Sequence, residues 1–147
     1  MLTQLLPDQI SKFWDVIKFA IEESLPPMVS EHPERMNNVL AALLSGKAEC
    51  WASHRNTREG KVFEGVVVTK FLVDDITTTK NLLIYSVYGY SDTNAETWRQ
   101  GFAALAKYAI SKGCYAIVGY TDVPNVINIV RKLNGEANYT FIKLPLK

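Results

Sequence analysis

Cys50 and His54 are the two residue types best suited to a thiolate–imidazole dyad, and their spacing forbids it. Both fall in an extended run, where four residues of strand separate side chains by ~13 Å. His32 stands between Glu31 and Pro33 with no second ligand at metal spacing. Cys114 lies far from Cys50, in no redox or metal pattern, and reads as a small core residue at the mouth of an apolar run. There is no phosphate loop, dinucleotide fingerprint or nucleophile elbow. Arg55, Arg58 and Lys61 flank a turn and read as a solvated hairpin tip. Asp74 and Asp75 adjoin a second polar turn and read as turn chemistry. Tyr85, Tyr88 and Tyr90 share one strand, and strict alternation sends Tyr88 and Tyr90 to one face and Tyr85 to the other. They serve sheet packing or form an aromatic surface for a partner.

Composition bounds the setting of this chemistry. The 147 residues suit one domain with a real hydrophobic core. Sixteen basic and fifteen acidic side chains leave a net charge of +1, which argues against a general affinity for nucleic acid. The first six residues are too short for a signal peptide before Pro7, and no apolar run approaches the ~18 residues of a membrane span. A reducing cytoplasm is the expected location.

The elements that must position any site follow from periodicity. Ile10, Phe13, Trp14, Ile17, Ala20 and Ile21 predict one amphipathic helix, with Asp8 as its N-cap and Pro26–Pro27 as its stop. Met36, Val39, Leu40, Leu43 and Leu44 predict a second helix ending at Gly46. Residues 48–55, 61–73 and 82–90 then read as three strands of an antiparallel meander. Thr93 to Glu96 form a capping box for a long helix to about Lys112, closed by Gly113. Trp14 and Phe102 lie within helical stripes and are expected to be largely buried. Residues 114–120 are continuously apolar between helices, predicting a strand buried on both faces and paired in parallel with 82–90. A last helix carries Val126, Ile127, Ile129, Val130 and Leu133, with Asp122 as cap and Gly135 past its end. Residues 137–144 read as a final strand.

This order resembles the Gcn5-related N-acetyltransferases over nearly the whole chain. The run at 98–118, WRQGFAALAKYAISKGCYAIV, is similar to that family's central helix and following strand. So is the passage from Val130 through Gly135 into Phe141–Leu144. The resemblance implies an α/β (α+β) single-domain fold over 1–147, a mixed central sheet flanked by helices, whose two parallel strands splay apart to admit acetyl-CoA. It implies a pyrophosphate turn at the start of the central helix, where amides and the helix dipole hold the anion and glycines allow close approach. Counting back from Gly113 puts that turn at Thr93, Asn94, Glu96 and Trp98, and none matches the family's Arg/Gln-x-x-Gly-x-Gly/Ala pattern. A carboxylate there repels phosphate, and an indole fills clearance.

The family's catalytic tyrosine on the last helix maps to Val130 or Arg131, neither suited to protonating a thiolate. Tyr120 and Tyr139 are the nearby substitutes, and Glu64 is the candidate general base. Two functions remain open. One is an N-acetyltransferase moving an acetyl group from acetyl-CoA to a small amine. The other is a divergent, inactive relative with no cofactor that acts by binding or assembly with a protein partner. The chain also resembles small acetyltransferase-like internal proteins of short-tailed bacteriophages, which implies a virion location if it is phage-encoded. Neither reading involves nucleic acid, membrane or metal, and the oligomeric state is open.

Overall fold

A computed structural model describes residues 1–90 and 95–146. The elements are β1 (Leu2–Gln4), α1 (Pro7–Lys12), α2 (Trp14–Glu22), α3 (Arg35–Ser45), β2 (Glu49–Thr57), β3 (Gly60–Asp74), β4 (Thr79–Gly89), α4 (Ala95–Ser111), β5 (Ala116–Gly119) and α5 (Pro124–Lys132). The strands form one five-stranded sheet in sequence order. β1 to β4 pair antiparallel, and β5 joins β4 in parallel, as the strand–helix–strand pattern predicts.

Alternation along the strands divides the core in two. Val66 and Val68 of β3 and Cys50 of β2 meet Ile10, Ile17, Ala20, Ile21, Met36 and Leu43 from α1, α2 and α3. On the other face Trp51 and Leu82 meet Leu105 and Ala109 of α4. Helices therefore cover both sides of the sheet. Each contributes only a stripe, so Trp14 and Phe102, expected to be largely buried, are half-buried at stripe edges.

Several boundaries differ from the sequence expectation. The first helix is two: Phe13 leaves helical geometry at φ −106°, ψ 20°, with its ring edge-on to Phe63 at 5.3 Å. Its N-cap is Leu6, with Pro7 at the first helical position and Asp8 in the first turn rather than at the cap. β1 escaped periodicity because three residues are too few to show a period. The thiol residue helps hold it, since the Leu5 amide donates to the Cys50 carbonyl at 2.8 Å. Asp74 does serve a turn, accepting from the Ile76 amide at 3.1 Å and the Thr77 hydroxyl at 2.8 Å.

The C-terminal third carries the larger corrections. β5 is an edge strand of four residues and is only half-buried, not enclosed on both faces. α5 is capped by Val123, not Asp122. At its end the left-handed residue is Asn134 (φ 65°), and Gly135 is required for a different reason. A Cβ there would lie 2.5 Å from Val130 Cγ1 and 2.9 Å from the Val130 carbonyl. Residues 137–144 form no strand, because a strand needs a bonded partner edge as well as apolar content. They run irregularly past α5, with Phe141 edge-on to Tyr120 at 5.1 Å.

Candidate functional site

β4 and β5 run side by side only over Asn81–Ile84 and Ala116–Gly119, while β4 continues to Gly89. Pairing thus stops at Ile84, where β5 itself ends. At that point β4 bulges: Val68 pairs with Ser86 and Thr69 with Ile84, leaving Tyr85 without an opposite residue. The bulge resets alternation, so Tyr85, Tyr88 and Tyr90 all pack on the α1–α3 core. This corrects the expectation that Tyr85 faces away from the other two. Phe19 and Tyr90 both stand edge-on to Tyr88, at 5.8 and 5.2 Å, and the Tyr90 hydroxyl donates to the Val16 carbonyl at 2.9 Å. Burial raises the Tyr85 phenol above its ordinary value and pushes Tyr90 up to about 12, so both remain proton donors at neutral pH.

Beside the bulge, Ser86 is 4% exposed and its hydroxyl has no partner among the described residues. Ser86 was not legible as a site residue, because a bulge is a pairing event between strands.

Glu64 occupies a second bulge, on β3, skipped between the Ser53–Gly65 and His54–Phe63 pairs. It is half-buried, and its carbonyl accepts from the Tyr90 amide at 3.0 Å. Tyr120 follows β5 and is 39% exposed. Glu64 lies beside Tyr90 at the end of β4, and Tyr120 follows the last residue of β5. Tyr139 does not join them through any contact: it is 83% exposed and its hydroxyl donates to Glu136 at 3.3 Å.

At the start of α4, Thr93 and Asn94 lie outside the described residues. Glu96 is exposed in the first turn, 3.4 Å from the Arg99 guanidinium. Trp98 is half-buried with its ring 6.0 Å from that of Phe102. Gly101, inside the helix, faces open space where a side chain would meet nothing within 4 Å. Of the residues described here, Glu96 places a carboxylate in the first turn of α4, and Trp98 stands two residues further on. Among the described residues, no three His, Cys, Asp or Glu side chains cluster as metal ligands, and no helix is long and apolar enough to cross a membrane.

The geometry has clear counterparts among solved structures. The chain matches AAC(6')-Iy, solved in complex with the bisubstrate analogue CoA-S-monomethyl-acetylneamine, at TM-score 0.70 and 14% identity, covering 100% of this chain and 97% of that one. It matches an acetyltransferase of Trypanosoma brucei at TM-score 0.67 and 16% identity, covering 99% of both chains. A ribosomal-protein-alanine N-acetyltransferase from Brucella melitensis biovar Abortus 2308 aligns at TM-score 0.65 and 13% identity, again over 99% of both. No protein-family model and no curated protein matches the sequence. The chain therefore has the Gcn5-related N-acetyltransferase fold over its full length, as the order of elements predicts.

Proposed function

We propose that this protein is a divergent member of the acetyltransferase fold that acts by binding a protein partner rather than by acetyl transfer. The observation that carries this reading is the exposed Glu96 carboxylate in the first turn of α4, with Trp98 behind it. A helix N-terminus attracts anions through its free amides and dipole, and a carboxylate in that turn already satisfies the attraction. Arg99 neutralises Glu96 only from the surface, where ion pairs are weak and screened.

Acetyl-CoA titrated in a melting experiment tests this directly. A ligand at a hundredfold excess over Kd stabilises the native state by about 2.7 kcal/mol. For a chain of this length that is a rise of roughly 5–11 °C. The expected result at ~1 mM acetyl-CoA is no resolvable shift, since that concentration is a hundredfold excess only for a micromolar-scale Kd. Glu96→Gly with Trp98→Gly should recover some binding, although glycine loosens the helix by ~1 kcal/mol per site. A saturable shift of several degrees in the parent protein overturns the reading.

A second reading, an active N-acetyltransferase on an amine, is favoured by the stretch of β4 that continues past the end of β5 and by the Ser86 hydroxyl at the bulge, which has no partner among the described residues. A buried hydroxyl without a protein partner is a natural contact for a ligand or a water. Under that reading Glu64 is the base, Tyr120, Tyr139 and Tyr85 are the candidate acids, and their removal should abolish thiol release from acetyl-CoA.

A further inference from the structure

A groove of about 410 Å³ opens on the α1–α3 face of the sheet, between α3 and the β3–β4 ladder. It lies across the sheet from α4 and its N-terminal turn. Three cations line it from three separate parts of the chain: Arg35 at the start of α3, Lys47 after its end, and Lys70 on β3. For a protein with a net charge of +1, this is a local concentration of positive charge.

The cations are poorly neutralised. Among the described residues neither Lys47 nor the half-buried Lys70 has an ion-pair partner. Arg35 meets Glu31 at 3.5 Å, but that carboxylate side chain is 96% exposed, so the pair is weak and screened. The same guanidinium nitrogen donates to the Ser30 carbonyl at 3.1 Å, which holds the fork at the groove wall before any ligand arrives. Tyr85 and the buried Val68 also line it. The volume falls in the range of small-molecule sites, and converging cations in a concavity raise the local concentration of anions.

We propose that this groove binds a small polyanion, a molecule carrying two or more phosphate or carboxylate groups. The inference goes beyond the reading of α4 and does not depend on it, because the residues and the face of the sheet are different. Phosphate suits the site best, since an arginine fork presents paired donors to its oxygens and lysines add point charges.

The test is calorimetric titration with inorganic pyrophosphate and, separately, with citrate, at ionic strength held constant with sodium chloride. The parent is compared with Lys47→Glu, Lys70→Gln and, as a control on the exposed face of α4, Lys107→Glu. Saturable binding is expected at about 1 mM ligand or below, falling about tenfold for each groove variant and unchanged in the control. Binding of pyrophosphate alone assigns a phosphate ligand, whereas equal binding of citrate assigns a polyanion selected by charge. The proposal fails if neither anion saturates, or if Lys107→Glu weakens binding as much as the groove variants do. An acetyl-CoA melting shift that persists in Lys47→Glu and Lys70→Gln belongs to the α4 cleft, which keeps the two readings separable.

Discussion

Replacing Trp51 with alanine should destabilise the protein by about 4 kcal/mol, the scale of burying and then deleting a large aromatic side chain. Trp51 is 5% exposed and forms the centre of the α4 core. Its ring stands edge-on to Tyr108 at 5.0 Å, and Tyr108 in turn stacks on Phe71 at 6.0 Å. Edge-to-face pairs of this kind add to the area term. The indole N–H also donates to the Thr69 hydroxyl at 3.0 Å, so truncation opens a cavity and removes a buried bond together. For a chain of this size the melting temperature should fall by roughly 8–16 °C. Trp51→Phe keeps most of the ring and loses only the donor, and it should cost clearly less. A midpoint within about 3 °C of the parent in Trp51→Ala would mean that α4 is not anchored through this residue.

Thr69→Val should be nearly as damaging, and its cost should grow with pH. The Thr69 hydroxyl accepts from Trp51 and donates to the Glu49 carboxylate at 3.0 Å, forming a buried chain across β2 and β3. Valine fits the space and removes a buried bond from each end, at about 1–3 kcal/mol each, with Tyr108 still bonded to the Glu49 carboxylate. Burial raises the Glu49 carboxyl above its ordinary value of 4.5, against the opposing effects of the Thr69 bond, Lys112 and Tyr108. The native state therefore holds the proton more tightly than the unfolded chain does. This stabilising contribution is fully present below the unfolded value and is lost as pH rises through the folded one. Glu49→Gln keeps an acceptor for Thr69 without the charge, so its stability relative to the parent should improve from about pH 4 to about pH 7. Thr69→Val should move the opposite way over the same interval, because the ionised carboxylate has lost one of its donors. Urea midpoints at the two pH values decide the matter, and parallel pH profiles for all three proteins would remove Glu49 as the titrating group.

The fold was legible wherever a period could run for several turns or residues. α3 and α4 carry their stripes over 11 and 17 residues, and Gly46 and Gly113 mark their ends with φ of 81° and 75°. β3 announces itself by its valine content, and the polar turns on either side of it set off β2 and β4. What escaped depends on pairing between distant segments. The bulges at Glu64 and Tyr85 are each a single residue skipped by a neighbouring strand, yet the second turns Tyr88 and Tyr90 to the same face as Tyr85. Residues 137–144 have the composition of a strand, and composition cannot supply a bonded edge. The mismatch at Glu96 and Trp98 was visible because it is local to one turn. The Glu49–Thr69–Trp51 chain and the three cations of the groove were not, because their members lie on separate elements and share no spacing.

The division of the core into two faces also distributes the two thiols, one to each side of the sheet. Cys50 lies wholly inside the α1–α3 core, where burial pushes its thiol up to about 12. Cys114 packs at the border of the α4 core and is half-exposed. Only thiolate reacts with an alkylating reagent, so Cys50 can be modified only when β2 and the helices above it come apart. The pair works as two clocks in one molecule. Cys114 should be alkylated first under native conditions, and the two rates should converge as urea is added if both faces open in one cooperative step. If the α4 face opens alone, the Cys114 rate will rise with urea well before that of Cys50 responds.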